Sequence, residues 1–226
     1  QFDVSRTVNT LNATTINAST FSSAATFSSG IANAGTISAG TFQGSLGASV
    51  TMPAGSVIQV VHGRLSSTLV ATGSSGASDY IVDIGLSASI TPKFSTSNIL
   101  INVNLYVGAD QTSASGYQQS YFIYKNGSEL DEVNGDEEGG RQGVAGGINM
   151  YDASAASATQ HQKMMLGGTH MDYAVGSTSA QTYSVRTRAY SGGPTIYINR
   201  SQQFQAGGTD YDHVPQSTIT LTEIAA

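Results

Sequence analysis

The chain has 226 residues, of which 9 are basic and 15 acidic, so its formal net charge is −6. Charged residues make up 11% of the sequence, against roughly 25% in an ordinary soluble domain, whereas 31 Ser and 24 Thr supply a neutral polar surface. The absence of Cys excludes disulfide scaffolds and thiolate sites, the acidic balance argues against nucleic-acid partners, and no apolar run approaches the ~18 residues of a membrane span.

The first fifty residues carry a repeat of large apolar side chains with a mean spacing of five. Between Arg6 and Arg64 there is no Asp, Glu, Lys or Arg, and mainly Thr, Ser, Ala, Asn and Gly separate the apolar residues. The repeated positions are Leu11, Ile16, Phe21, Phe27, Ile31, Ile37, Phe42 and Leu46. A helix needs spacings of three and four, and a strand needs two. The period therefore indicates a chain that turns repeatedly and sends one side chain inward at each turn.

A single large apolar residue in every five cannot enclose a core within one chain, so each repeat must bury that residue against a neighbour. We therefore expect residues 1–50 to form a trimeric β-helical or threaded shaft, in which the eight apolar side chains meet near the axis. Two alternatives stay open. One is a disordered Ser/Thr/Gly linker, and the other is a single-chain pentapeptide solenoid.

From residue 51 onward the hydrophobic period changes to two, which is typical of β-strands. The clearest example is 99–107, where five aliphatic residues alternate with more polar ones. The predicted strands are 56–62, 80–86, 87–91, 99–107, 118–125, 129–133, 146–151, 162–166, 182–190, 195–200 and 217–224. Asn126-Gly127 predicts a tight hairpin turn. Strands at this spacing predict that residues 51–226 form an antiparallel, jelly-roll-like β-sandwich, so that the whole chain is all-β.

The sequence contains none of the common catalytic motifs. The G-x-G-x-x-G, G-K-[ST], G-x-S-x-G and H-E-x-x-H patterns do not occur, so we expect no catalytic residues, no enzyme activity, no cofactor and no motif-based metal site. The one candidate for cation binding is the acidic group of Asp131, Glu132, Asp136, Glu137 and Glu138, because oxygen-rich loops bind Ca²⁺. The alternative is a solvated hairpin tip that supplies negative potential.

All 11 tyrosines follow residue 50. Tyrosine rings pack on one side and hydrogen-bond on the other, which suits recognition of a glycan or a protein. Tyr117, Tyr151, Tyr173 and Tyr211 fall in predicted loops and are the candidate receptor-facing residues. The alternative is that they are ordinary structural residues of strand interiors and edges.

Several segments resemble virion proteins of tailed phages. Residues 25–30 and 40–46 look like the shaft repeats of phage fibre proteins. The second part resembles a C-terminal domain of fibre-like structural proteins, especially of marine phages, and its matching segments are 53–61, 90–92, 97–101, 195–201 and 217–226. These are strand and turn motifs rather than catalytic signatures. The resemblance implies a homotrimer on the virion, at the tail or capsid surface, with the distal β-domain exposed and other virion proteins as partners.

We therefore predict a homotrimeric virion fibre whose β-sandwich head attaches to a glycan or protein of the host surface. Three copies of each loop would raise the avidity of a weak single site. A structural head fibre, capsid decoration or tail-assembly component without receptor binding is the alternative, and a polysaccharide depolymerase is a third. No nucleic acid or membrane is expected as a partner.

Overall fold

The structure is a computed structural model that describes residues 52–72, 79–108, 118–149, 163–190, 195–204 and 213–226. These residues belong to one compact unit that spans Gly47–Ala226. Among the described residues the fold is all-β, with 60% strand, and their single helical element is one turn of 3-10 helix. The predicted shaft, residues 1–50 with its eight apolar positions, lies outside the described residues and stays a prediction.

The described residues form eleven strands. They are β1 (Val57–Leu65), β2 (Leu69–Thr72), β3 (Asp79–Ile90), β4 (Asn98–Gly108), β5 (Gln118–Lys125), β6 (Ser128–Glu129), β7 (Gly146–Asn149), β8 (Lys163–Asp172), β9 (Gln181–Tyr190), β10 (Thr195–Ile198) and β11 (Ser217–Ile224). The 3-10 turn, η1 (Asp131–Val133), lies between β6 and β7.

The strands form two sheets in which every pairing is antiparallel. In sheet A, β1 pairs with β11, β11 pairs with β4, and the other edge of β4 pairs with β8. β10 pairs with the end of β4 and with β2. In sheet B the order is β3, β9, β5, and the far edge of β5 pairs with both β6 and β7.

One hydrophobic core lies between the two sheets, as in a β-sandwich. The alternation over 99–107 is confirmed, since the five aliphatic residues at alternate positions of β4, from Ile99 to Val107, are buried. Leu86 of β3, Tyr121 of β5 and Tyr183 of β9 join them from sheet B. Complete burial of an aliphatic side chain contributes roughly 1.5–3 kcal/mol, so this shared core holds the sheets together.

Some strand predictions are confirmed and others are wrong. Strands β5 and β11 have the predicted bounds. Asn126 and Gly127 have φ values of 53° and 87°, which are those of a type I′ hairpin turn. The predicted strands 80–86 and 87–91 are one strand, β3, because the chain continues through a bulge between Asp83 and Leu86. The prediction for 129–133 is wrong: β6 ends at Glu129, and η1 follows it.

The two ends of the sandwich differ in the connections they carry. The start of β1 pairs with the end of β11, through Val57 and Ile224. We call this the proximal end, and it also carries the connections 91–97, 126–127 and 173–180. The pairs Gly108–Lys163 and Asp79–Tyr190 mark the opposite, distal end. There the described strands border the four internal segments 73–78, 109–117, 150–162 and 191–194, whereas non-strand residues border the fifth, 205–212.

Candidate functional site

One of the four candidate receptor-facing tyrosines lies among the described residues. Tyr173 is 70% exposed and directly follows β8 at the proximal end. Tyr117, Tyr151 and Tyr211 lie outside the described residues. The strands that border the segments of Tyr117 and Tyr151 end at the distal end.

The acidic group predicted as a candidate cation site lies in an exposed part of the connection between β6 and β7. Asp131, Glu132, Asp136, Glu137 and Glu138 are all exposed. Beyond η1 the chain folds back on itself: Gly135 N donates to Val144 O at 3.2 Å, and Glu138 and Arg141 exchange backbone hydrogen bonds. Between Glu138 and Arg141 the two glycines have positive φ. In the part of the chain that the structure describes, no group of three or more His, Asp or Glu residues is placed to hold a metal ion.

A polar cluster that the sequence did not predict lies at the proximal end, where β8 meets sheet B. Asp172, buried at the end of β8, accepts a hydrogen bond from the Tyr183 hydroxyl. Its carboxylate also lies 2.8 Å from Lys125 Nζ, and Lys125 Nζ donates to Val175 O at 3.2 Å. Glu132 of η1 lies near the same carboxylate, which contributes to raising the pKa of Glu132. One buried aspartate thus joins β5, β8, β9 and η1.

The protonation of this cluster follows from its burial and charge. Burial raises the pKa of Glu132, and so do the hydrogen bond and negative charge of Asp172, while Lys125 opposes the shift. A raised pKa favours the neutral carboxyl, which can donate a proton to the Asp172 carboxylate. Burial also raises the pKa of Tyr183, with Asp172 as the second cause. Tyr183 is therefore a hydrogen-bond donor to Asp172 at neutral pH.

His170, which precedes Asp172 in β8, also contacts sheet B and η1. Its Nε2 lies 2.9 Å from the Tyr121 hydroxyl, and the two rings meet edge to face, with centroids 5.9 Å apart. Burial lowers the pKa of His170, although a hydrogen bond with the Val133 backbone partly offsets the effect. Burial raises the pKa of Tyr121 to about 12. Both groups are thus neutral at physiological pH, and they connect η1 to β8.

A second buried carboxylate fixes the neighbouring proximal connection. Glu223 of β11 has no exposed surface, and its Oε1 accepts hydrogen bonds from Lys93 N and Ser97 Oγ, each at 2.7 Å. Phe94 N is a third donor at 3.3 Å, and Gln59 Nε2 donates to Oε2 at 2.6 Å. Because these partners lie in the 91–97 connection and in β1, Glu223 holds three parts of the proximal end together.

Both polar clusters hold strands and connections at the proximal end together. The side chains described above bond to one another, and in neither cluster is a Ser hydroxyl paired with a His base, the arrangement that activates a nucleophile. Their described contacts explain why the proximal connections have defined positions.

No model of a known protein family and no curated protein matches this chain. Within the described ranges, no helix has the length and apolar character needed to cross a membrane.

Proposed function

We propose that this chain is a homotrimeric virion fibre protein whose jelly-roll-like head attaches to the host surface through its distal end. The observation that carries the proposal is the separation of the two ends. The described chain enters β1 at the proximal end, where Asp172 and Glu223 hold the connections. The strands that border segments 73–78, 109–117, 150–162 and 191–194 end at the opposite end.

The composition of the distal segments supports a recognition role. Together with residues 205–212, they comprise 40 residues, more than the roughly 20–30 that one partner contributes to a stable protein interface. They contain three tyrosines and many Ser and Gly residues, the types that supply rigid contact area and adaptable hydrogen bonds in antibody loops. Four Asp residues and no Lys or Arg occur in them, which favours a neutral glycan or a protein over a strongly anionic polysaccharide.

The attachment proposal can be tested with a matched set of tyrosine variants. Full-length protein in which Tyr117, Tyr151 and Tyr211 are all changed to Ala should lose most of its adsorption to permissive host cells. The Tyr173→Ala variant removes an exposed tyrosine at the proximal end and should adsorb like the wild type. Equal adsorption of the triple variant and the wild type would overturn the distal site. Absence of wild-type binding to every permissive host, with normal virion assembly, would favour the structural alternative.

The trimeric shaft has its own test. We expect the full chain to run at three times its 23.3 kDa mass and to resist SDS without heating. Phe27→Asp or Phe42→Asp should break the trimer, because three carboxylates would meet near one axis without partners. A monomer in light scattering at micromolar concentration would overturn the shaft.

A further inference from the structure

A lysine and an aspartate from different sheets meet at the proximal end. Lys125 is the last residue of β5 in sheet B, and Asp172 is the last residue of β8 in sheet A. Lys125 Nζ lies 2.8 Å from Asp172 Oδ2. Because a C=O bond is about 1.23 Å long, the nitrogen also lies within about 4 Å of the carboxyl carbon Cγ. This separation is close to the roughly 3–3.5 Å at which bound groups react.

Both side chains are held in place and largely shielded from water. The Asp172 side chain is 3% exposed, and that of Lys125 is 20% exposed. The Tyr183 hydroxyl donates to the same Oδ2 atom, and Lys125 Nζ donates to Val175 O at 3.2 Å. Holding two reacting groups in one orientation gives effective molarities on the order of 10⁵–10⁸ M. The amine and the carboxyl are therefore arranged to react with each other.

The burial of the pair favours a neutral product. Two charges in a site shielded from water carry a desolvation cost that their attraction offsets only in part. An amide between the same atoms has no charge and removes that cost. The Arg186–Asp83 pair on the outer face of sheet B differs, because its side chains are 30% and 54% exposed and a guanidinium does not lose its proton.

We propose that Lys125 and Asp172 condense spontaneously into an isopeptide bond, an amide between Nζ and Cγ that joins the two sheets covalently. The inference is independent of the proposed function. A chain without cysteine cannot form a disulfide, and this amide would give the sandwich a covalent link that no thiol reductant breaks.

Glu132 of η1 is placed to move the protons that this reaction requires. It lies near the Asp172 carboxylate, and burial together with Asp172 raises the pKa of Glu132, although Lys125 opposes the shift. Glu132 is therefore more readily protonated than an ordinary glutamate. Its carboxyl can give a proton to one Asp172 oxygen and regain one from Lys125 Nζ. This transfer leaves a neutral amine beside a neutral carboxyl.

The bond then forms with a balanced exchange of atoms. The Nζ electron pair attacks Cγ, and the Tyr183 hydroxyl stabilises the negative charge that develops on Oδ2. The protonated oxygen takes up a second proton, which comes from Nζ through Glu132, and leaves as water. One ammonium and one carboxylate thus become one amide and one water, and nothing is oxidised or reduced. The Tyr183 hydroxyl and Val175 O remain as partners for the amide C=O and N–H.

Mass spectrometry of the denatured full-length chain tests the bond directly. The wild type should weigh one water less than its sequence mass. Trypsin should not cleave after Lys125, and it should release residues 94–141 linked to residues 164–186. A wild type at its full sequence mass, with residues 94–125 and 126–141 released separately, would overturn the proposal and leave a simple ion pair. This measurement uses the natural chain and does not depend on the folding of a variant.

Three variants assign the reaction to its residues. Lys125→Arg keeps the positive charge and should retain its full sequence mass, whereas Lys93→Arg replaces an exposed lysine and should lose one water like the wild type. Water loss in Lys125→Arg would overturn the assignment. Glu132→Gln should also lose one water, but roughly tenfold or more slowly in a time course after cell-free synthesis, because Gln cannot relay protons. A rate equal to that of the wild type would overturn the relay.

Discussion

The buried Glu223 carboxylate offers the sharpest test of how the proximal end is held. Glu223→Ala removes the acceptor of four donors: Lys93 N, Phe94 N, Ser97 Oγ and Gln59 Nε2. Ala also leaves a cavity where the side chain was, because Glu223 has no exposed surface. The 91–97 connection should then lose its attachment to β11.

The magnitude follows from the donors that are left without a partner. Each buried donor that loses its acceptor costs about 1–3 kcal/mol, but water can reach part of this connection, so the four costs do not add in full. We expect Glu223→Ala to lower the free energy of unfolding by about 3–5 kcal/mol, roughly the cost of two buried donors without an acceptor. In a domain of this size each kcal/mol lowers the melting temperature by roughly 2–4 °C. Glu223→Gln keeps one acceptor but turns its amide N–H toward Gln59 Nε2, so its loss should be about half as large.

Urea unfolding followed by circular dichroism, at equal chain concentration, measures both losses. Glu137→Ala removes an exposed carboxylate of the same type and should change the stability by less than about 0.5 kcal/mol. If Glu223→Ala were no more destabilising than Glu137→Ala, the carboxylate would not organise the proximal end, and the reasoning would be refuted.

Three further substitutions test other parts of the fold. Gly63→Ala would place a methyl group against the Ser87 carbonyl oxygen where β1 passes β3, so it should destabilise the fold by about 3 kcal/mol in thermal melts. The control is Gly135→Ala, whose methyl group would meet no atom within 4 Å and should leave the stability nearly unchanged. Asn199 has a φ of 56°. Its side chain donates to Leu65 O and Ser67 O and accepts a hydrogen bond from Ser217 Oγ. Asn199→Ala combines left-handed strain with three lost bonds, and urea unfolding should show a loss of about 3 kcal/mol. The raised pKa of Glu132 means that the folded state binds the carboxyl proton more tightly than the unfolded state does. The stability gained from this protonation is complete below the unfolded pKa and is lost as the pH rises through the folded pKa. Glu132→Gln should therefore match the wild type below about pH 4.5 and exceed it in stability at about pH 8. The gain is small because Glu132 is exposed, and a difference that does not vary with pH would contradict the assignment.

Local patterns predicted most strands, because a sheet with one dry face imposes a period of two. The same alternation also indicates that Glu223 is buried, which we did not predict: Glu223 is an even number of positions from Ile219 and Leu221 and therefore points inward with them. A carboxylate at such a position needs donors, but the sequence does not say that they come from residues 91–97. In the same way, Lys125 and Asp172 are 47 positions apart, and only the pairing of the strands brings them together.

Glycine caused a different kind of error in β8. The predicted strand ended at Leu166, because Gly167 and Gly168 are typical of turns, yet β8 continues to Asp172. A Cβ at Gly168 would lie 2.6 Å from the Tyr121 hydroxyl and 2.7 Å from His170 Nε2. The glycine is thus required by close packing rather than by a turn. A sequence pattern cannot distinguish these causes, since the close neighbour comes from the opposite sheet.

The contrast between the two ends has a consequence for how such a head can change its specificity. At the distal end the strands remain paired up to the bordering segments, as the pairs Gly108–Lys163 and Gln118–Asn149 illustrate. These ladders hold the strand ends at the distal end in place, and doubling the length of a flexible loop between them costs only about 0.6 kcal/mol. A similar insertion in 91–97 would displace the donors of Glu223 and forfeit several times that amount. Variation in recognition is thus inexpensive at the distal end alone, which is the end that the proposed attachment uses.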